Sequence, residues 1–147
     1  MSLRLRDILI IDDNENDVEL MMHGLRTLRL ANDIVVARDG VDALDYLYRR
    51  GRHALRDGDP PLFMLLDLRM PRMDGIDLLQ ELRQDEAMRM IPVIVMSSSR
   101  EDPDLGRCYQ LGINAYVVKP VDVDQFTDTV TQLGLFWALI NEAPPCD

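Results

Sequence analysis

Five short apolar runs punctuate the chain: Ile8-Leu9-Ile10-Ile11, Ile34-Val35-Val36-Ala37, Leu62-Phe63-Met64-Leu65-Leu66, Val93-Ile94-Val95-Met96 and Ala115-Tyr116-Val117-Val118. Consecutive apolar positions rich in branched residues suit strands covered on both faces, the condition of a parallel sheet. Between the runs the period changes to three and four. Val18, Met21, Met22, Leu25 and Leu28 share one helix face, Leu78, Leu79 and Leu82 a second, and Phe126, Val130, Leu133, Trp137 and Ile140 a third. Val41, Leu44, Leu47 and Tyr48 predict a shorter helix, and Leu105, Cys108, Tyr109 and Leu111 a fifth, closed by Gly112.

Five strands alternating with five helices predict an α/β fold, a three-layer, doubly wound, five-stranded parallel sheet with right-handed crossovers. Periodicity does not set the strand order. The flavodoxin-like order 2-1-3-4-5 is chosen because five strands are too few for a dinucleotide-binding double fold. The length of 147 residues fits one domain. Lys and Arg total 16 against 26 Asp and Glu, and a net charge of -10 repels phosphate backbones and anionic membrane surfaces. No nucleic-acid partner is therefore expected. No apolar stretch reaches membrane-span length, and the start MSLRLRDILI lacks a signal peptide's apolar core, so a cytoplasmic protein without membrane contact is expected. Cys108 and Cys146 have no metal-ligand spacing and are expected as free thiols; Met1 to Leu3 carry no role.

In an open parallel sheet, ligands bind beyond the carboxyl ends of the strands, near the point where strand order reverses. Each run here ends in polar residues. Strand 1 leads into Asp12-Asp13, strand 3 into Asp67, strand 4 into Ser97-Ser98-Ser99 and strand 5 into Lys119-Pro120, while edge strand 2 leads to Arg38-Asp39-Gly40. Three carboxylates about 5 Å apart repel by about 3 kcal/mol per pair at an effective dielectric of about 20, so such a site calls for a cation. Oxygen-only ligands point to Mg2+, which keeps several waters and leaves room for phosphate oxygens. Asp67 is then a nucleophile able to take a phosphoryl group, with Lys119 the cation that absorbs its charge. Taken singly, each residue has a plainer use. Asp12 or Asp13 could cap the helix beginning near Glu15, Lys119 could be a solvated surface lysine, Ser97 a turn or cap residue, and Tyr116 an ordinary strand aromatic. His23 and His53 have no partner spacing, and Met73, Met88 and Met90 read as packing residues.

The segments ILIIDDNEND, LLDLRMPRMDG, PVIVMSSS and AYVVKP, in this order and spacing, resemble the receiver domain of bacterial two-component response regulators over nearly the full length. The resemblance implies that Asp67 is the phosphorylated aspartate. It implies Asp12, Asp13, Asp67 and the backbone carbonyl of Arg69 as Mg2+ ligands, and Ser97 as the switch hydroxyl. Tyr116 would be the switch aromatic, its ring turning inward as Ser97 moves toward the phosphoryl group, and Lys119 would pair with that group. It also implies a cis peptide between Lys119 and Pro120, and a loop through Pro71 and Gly75 leading into the third helix. Residues 4–141 would form the receiver domain and 142–147 a flexible tail, with no effector domain. Arg69 places a bulky cation two residues after the acceptor, and Ser99, two after Ser97, is small.

The segment KPVDVDQF, the long helix ending in LGLFWALI, and the loop from Gly51 to Pro61 are similar to single-domain regulators serving phytochrome-type histidine kinases. The expected partner is thus a sensor histidine kinase, of the bacteriophytochrome type. Output is expected through partner binding or a homodimer, built on Phe126, Val130, Leu133, Phe136 and Trp137, with Ile140 beside them. A haloacid-dehalogenase-type hydrolase would need a second acid where Arg69 stands, and a flavin carrier a phosphate loop where Asp12-Asp13 stand. A phosphorylation-independent receiver-like adaptor is the alternative reading.

Overall fold

The computed structural model describes residues 5–56, 58–98 and 102–145; Ser99 and Cys146 lie outside them. Five strands, β1 (Ile8–Ile11), β2 (Ile34–Ala37), β3 (Phe63–Asp67), β4 (Val93–Ser97) and β5 (Ala115–Val118), form one parallel sheet in the order 2-1-3-4-5. The helices are α1 (Glu15–Arg26), α2 (Gly40–Leu47), α3 (Gly75–Arg83), α4 (Leu105–Gln110) and α5 (Val123–Gly134). β1 lies inside the sheet, with Ile8 in register with Ile34 on one side and Phe63 on the other.

Strand alternation divides the core in two. Leu9 and Ile11, with Met64, Leu66, Val93 and Val95, face α2, α3 and α4 through Leu44, Leu78, Leu79 and Cys108. Ile8, Ile10, Phe63, Leu65, Ile94 and Met96 face α1 and α5 through Val18, Met21, Leu25, Phe126 and Val130. All four β1 residues are fully buried, which accounts for the unbroken apolar run. Four of the helices start with a side-chain cap, from Asn14, Asp39, Asp74 and Asp122. Gly112, with φ +81°, ends α4 in the left-handed conformation that favours glycine.

Past Gly134 the last helix widens into a π-helical turn over Leu135–Ile140, closed by the Asn141 amide donating to the Phe136 carbonyl. The apolar stripe expected as one dimer face therefore splits. Phe126 and Val130 are buried among α1 and the sheet and cannot belong to an external face, because the helix needs them to cover Ile8, Ile10 and Met96. Leu133 and Trp137 are half-buried at the edge of that core. Phe136 stays 45% exposed, its ring edge-on to Trp137 at 5.0 Å. Met73 and Met88 pack against the core as expected, but Met90 lies 55% exposed on a short 3-10 turn. Where a frayed tail is expected, the Pro144 carbonyl accepts a 3.0 Å bond from Arg6, whose guanidinium also reaches the Pro60 and Pro61 carbonyls. Among the described residues no helix is long and apolar enough to cross a membrane.

Two glycines separate a close backbone approach from open space. A Cβ on Gly75 would stand 2.7 Å from the Asp67 carbonyl and 2.9 Å from the Leu68 Cα, whereas one on Gly106 would meet nothing within 4 Å. Urea unfolding of Gly75→Ala is expected to show a loss of about 2 kcal/mol or more, since backbone must move. Gly106→Ala is expected to gain up to about 0.5–1 kcal/mol. Equal effects at the two positions would contradict this packing.

Candidate functional site

Strand ends deliver the site. Asp12 comes directly after β1 and is fully buried, Asp13 beside it is exposed, Asp67 is the last residue of β3 and Ser97 the last of β4. The Lys119 amide extends the β4–β5 ladder by donating to the Ser97 carbonyl at 2.6 Å, which sets the lysine at the same mouth. Carboxylate oxygens of Asp12, Asp13 and Asp67 lie within 4.8 Å of one another. Asp13 and Asp67 border a cleft of about 460 Å3 that also takes in Asn14, Asp17, Arg69, Ser97, Ser98, Asp102 and Lys119, with Asp12 buried behind it.

Neither acid of the pair caps α1. Asn14 does so, its side chain accepting from the Asp17 amide at 3.0 Å, while Asp12 Oδ1 accepts from the Asn14 amide at 2.9 Å. Asp12 Oδ2 turns to Lys119, and Asp13 lines the cleft. Lys119 is no solvated surface lysine: its side chain is 9% exposed, and Nζ donates to Asp12 Oδ2 and Asp17 Oδ2, each at 2.9 Å. The Asp67 Oδ1 atom lies at 3.6 Å, within ion-pair range but beyond a good hydrogen bond. Burial lowers the lysine's proton affinity, but the bonds to Asp12 and Asp17 win and raise its pKa.

Asp67 is in the opposite condition. Burial pushes its pKa up to about 6, Lys119 pulls it down, and Asp12 and Asp13 push it up further. The Arg69 amide donates to it as well. A cluster of three carboxylates whose oxygens lie this close together fits a hard divalent cation. Such an ion would relieve the repulsion that one ammonium leaves uncompensated.

The expected neighbours fall in place with two differences. The Tyr116 ring packs against the α2–α4 core, and its hydroxyl hydrogen-bonds the Ser97 side chain. The ring is thus already drawn in beside Ser97, because a half-buried hydroxyl needs a partner. The Lys119–Pro120 peptide, expected cis, is trans, and no peptide among the described residues is cis. Trans is the lower-energy isomer by about 0.5–1 kcal/mol, and with it Lys119 still makes its ladder bond and reaches Asp12. Pro71 and Gly75 frame the approach to α3 as expected, with the Gly75 amide donating to the Leu68 carbonyl at 3.0 Å.

Sequence reading missed two features. Asp17 stands at the third position of α1, where the pattern Asn-x-x-Asp of a capped helix start could have flagged it. The Arg69 guanidinium turns from the acid cluster to clasp Asp102 at 2.7 and 2.8 Å and Asp104 at 2.9 Å. Those partners are more than thirty residues away in sequence, and no local pattern announces them. Cys108 is a buried free thiol whose pKa burial pushes up to about 11, which leaves it unreactive.

Because the folded chain binds the Asp67 proton more tightly than the unfolded chain does, stability falls as pH rises from the ordinary 3.8 through about 6. In metal-free protein at about pH 7.5, Asp67→Asn is expected to raise stability by about 1–2 kcal/mol after allowance for solvent screening. The advantage should shrink as pH falls toward 4. Thermal unfolding in chelator across this range checks it, and a destabilised Asn variant at neutral pH would contradict it.

Residues 8–131 match the family model of the response regulator receiver domain. The response regulator Rcp1 of Synechocystis sp. (strain ATCC 27184 / PCC 6803 / Kazusa) is 29% identical over 130 residues, 88% of this chain and 87% of Rcp1. The solved Mn2+-bound form of Rcp1 aligns with a TM-score of 0.88 at 28% identity, over 96% of this chain and all of that one. The phosphorylated cyanobacterial phytochrome response regulator RcpA gives 0.88 at 31% identity, over 95% and 99% of the two chains. The bacteriophytochrome response regulator AtBRR is 49% identical with a TM-score of 0.75, over 95% and 99%. A match spanning most of the length places the chain in the response regulator receiver-domain family, signalling proteins rather than classical enzymes, with phytochrome response regulators among its relatives.

Proposed function

We propose that this chain is a phosphoaspartate switch that takes a phosphoryl group from the phosphohistidine of a sensor histidine kinase of the phytochrome type. The observation that carries the reading is the position of Asp67, a half-buried carboxylate grouped with Asp12 and Asp13 and 3.6 Å from Lys119. An Asp67 oxygen attacks phosphorus as the P–N bond to the kinase imidazole breaks, and the electron pair of that bond leaves on the imidazole nitrogen. Asp12, Asp13, Asp67 and the Arg69 carbonyl would hold Mg2+, which supplies charge neutralisation of the transferring oxygens. Lys119 and Ser97 then donate to the phosphoryl oxygens. Slow hydrolysis of the acyl phosphate resets the switch, and the cytoplasm is the compartment where such a kinase presents its phosphohistidine.

Energetics allow the switch. Moving a two-state equilibrium from 1:99 to 99:1 takes about 5.5 kcal/mol, and hydrogen bonds to charged groups supply about 1.5–3 kcal/mol each. Two new bonds, from Ser97 and Lys119, are of that size. Tyr116 on β5 links Ser97 to the face of α4, β5 and α5. We further propose that output passes through a homodimer whose contact is the exposed rim of the last helix, Leu135, Phe136, Leu139 and Ile140, with Leu133 and Trp137 at its edge. Four large apolar side chains on six residues are more than a solvated helix end needs.

Intact-mass measurement after incubation with acetyl phosphate and Mg2+ is expected to show one added phosphoryl group, lost in Asp67→Asn and without Mg2+. No adduct on the wild-type chain would instead support a phosphorylation-independent adaptor. Light scattering at high micromolar concentration is expected to show a dimer that Phe136→Asp converts to monomer. A monomeric wild type, with and without phosphoryl donor, would remove the dimer.

A further inference from the structure

The lysine at the mouth of the site has three carboxylates within reach, and the two it bonds do not include the acceptor. Its Nζ lies 2.9 Å from Asp12 Oδ2 and 2.9 Å from Asp17 Oδ2, but 3.6 Å from Asp67 Oδ1. A compact ammonium among unequal carboxylates settles where its donors find the best geometry. Here the balance is tipped by Asp17, which approaches from the first turn of α1. Its position is built rather than accidental. Asn14 Oδ1 holds the Asp17 amide at 3.0 Å, and Asp12 Oδ1 holds the Asn14 amide at 2.9 Å. One short stretch thus aims a single oxygen of Asp12 and the carboxylate of Asp17 at the same ammonium. Asp17 is half-buried, with 24% of its side chain exposed, and Lys119 is nearly enclosed, so the pair is screened far less than a surface ion pair.

We propose that Asp17 is a positioning residue that parks Lys119 on the α1 side of the cleft, off Asp67, until a phosphoryl group on Asp67 outcompetes it for the ammonium. This rests on the reading of Asp67 as the acceptor. Transfer of Lys119 from Asp17 to the phosphoryl oxygens costs the resting contact, so Asp17 weakens the active state by the strength of that contact. The same handover frees the carboxylate at the start of α1, which tells that helix whether Asp67 is loaded.

The test uses the full chain at saturating Mg2+ with trifluoroberyllate as the phosphoryl mimic, its affinity followed by calorimetry. Asp17→Asn is expected to tighten binding about three- to tenfold, and Asp17→Glu to return toward the wild-type value. In a Lys119→Met background the Asp17→Asn effect should fall below about twofold, since a double-mutant cycle isolates what acts through the lysine. No tightening, or the same tightening in both backgrounds, would overturn the proposal, the second outcome showing a mere field effect of the lost charge. Failure of wild-type protein to bind the mimic would instead bring down the acceptor reading, and the parking role with it. Should Lys119→Met not fold, the 15Nζ resonance of Lys119 decides. It should shift on Asp17→Asn in the resting state and coincide with wild type once the mimic is bound; an unchanged resting resonance counts against the proposal.

Discussion

Parallel strands that end together leave their next residues crowded at one mouth, and in this chain three of those residues are acids. Asp12, Asp13 and Asp67 have oxygens within 4.8 Å of one another, and Asp17 joins them from α1. One ammonium, from Lys119, stands against four carboxylates. Such crowding is unfavourable by several kcal/mol and persists only because the sheet is fixed from both faces by packed helices. The sheet cannot relax to separate the acids without exposing Ile8 to Ile11, all fully buried. Burial at this mouth, with a smaller push from Asp12 and Asp13, raises the Asp67 carboxyl to a pKa of about 6.

The loops around the mouth are held by ion pairs of their own. Arg69 ties the loop after β3 to Asp102 and Asp104, and Arg72, with φ +61°, makes two bonds to Asp39, the cap of α2. Gly40 packs so close to Met73 that a side chain there would clash, which brings the start of α2 against the loop after β3. These clasps lie beside the acid cluster without neutralising it. The rim and the acid cluster thus use different charges: arginines hold the rim, and Lys119 meets the acids.

Much of this was legible in the sequence because its signals are local. Runs such as Ile8–Ile11 and Val93–Met96 read as doubly covered strands, and the residue after each run is by geometry a residue of the mouth. Asp12, Asp13, Asp67, Ser97 and Lys119 could be assembled this way with no knowledge of side-chain contacts. What failed depends on three-dimensional choice. Phe126 and Val130 share a helical stripe with Trp137 and Ile140, and nothing in the period tells which part the core claims; the π-helical turn after Gly134 splits it. The isomer at Lys119–Pro120 turns on an energy of about 0.5–1 kcal/mol, too fine for pattern. Asp17 and the partners of Arg69 required knowing which side chains the fold brings across the cleft.

The central claim is that unbalanced negative charge at the strand ends makes a place for one divalent cation. Calorimetric titration of Mg2+ into chelator-treated protein at about pH 7.5 tests it most directly. One ion per chain, with a dissociation constant of about 1 mM or below and affinity falling as pH drops below about 6, is the predicted result. The absence of a saturable site, or binding that survives neutralisation of Asp13, would contradict it.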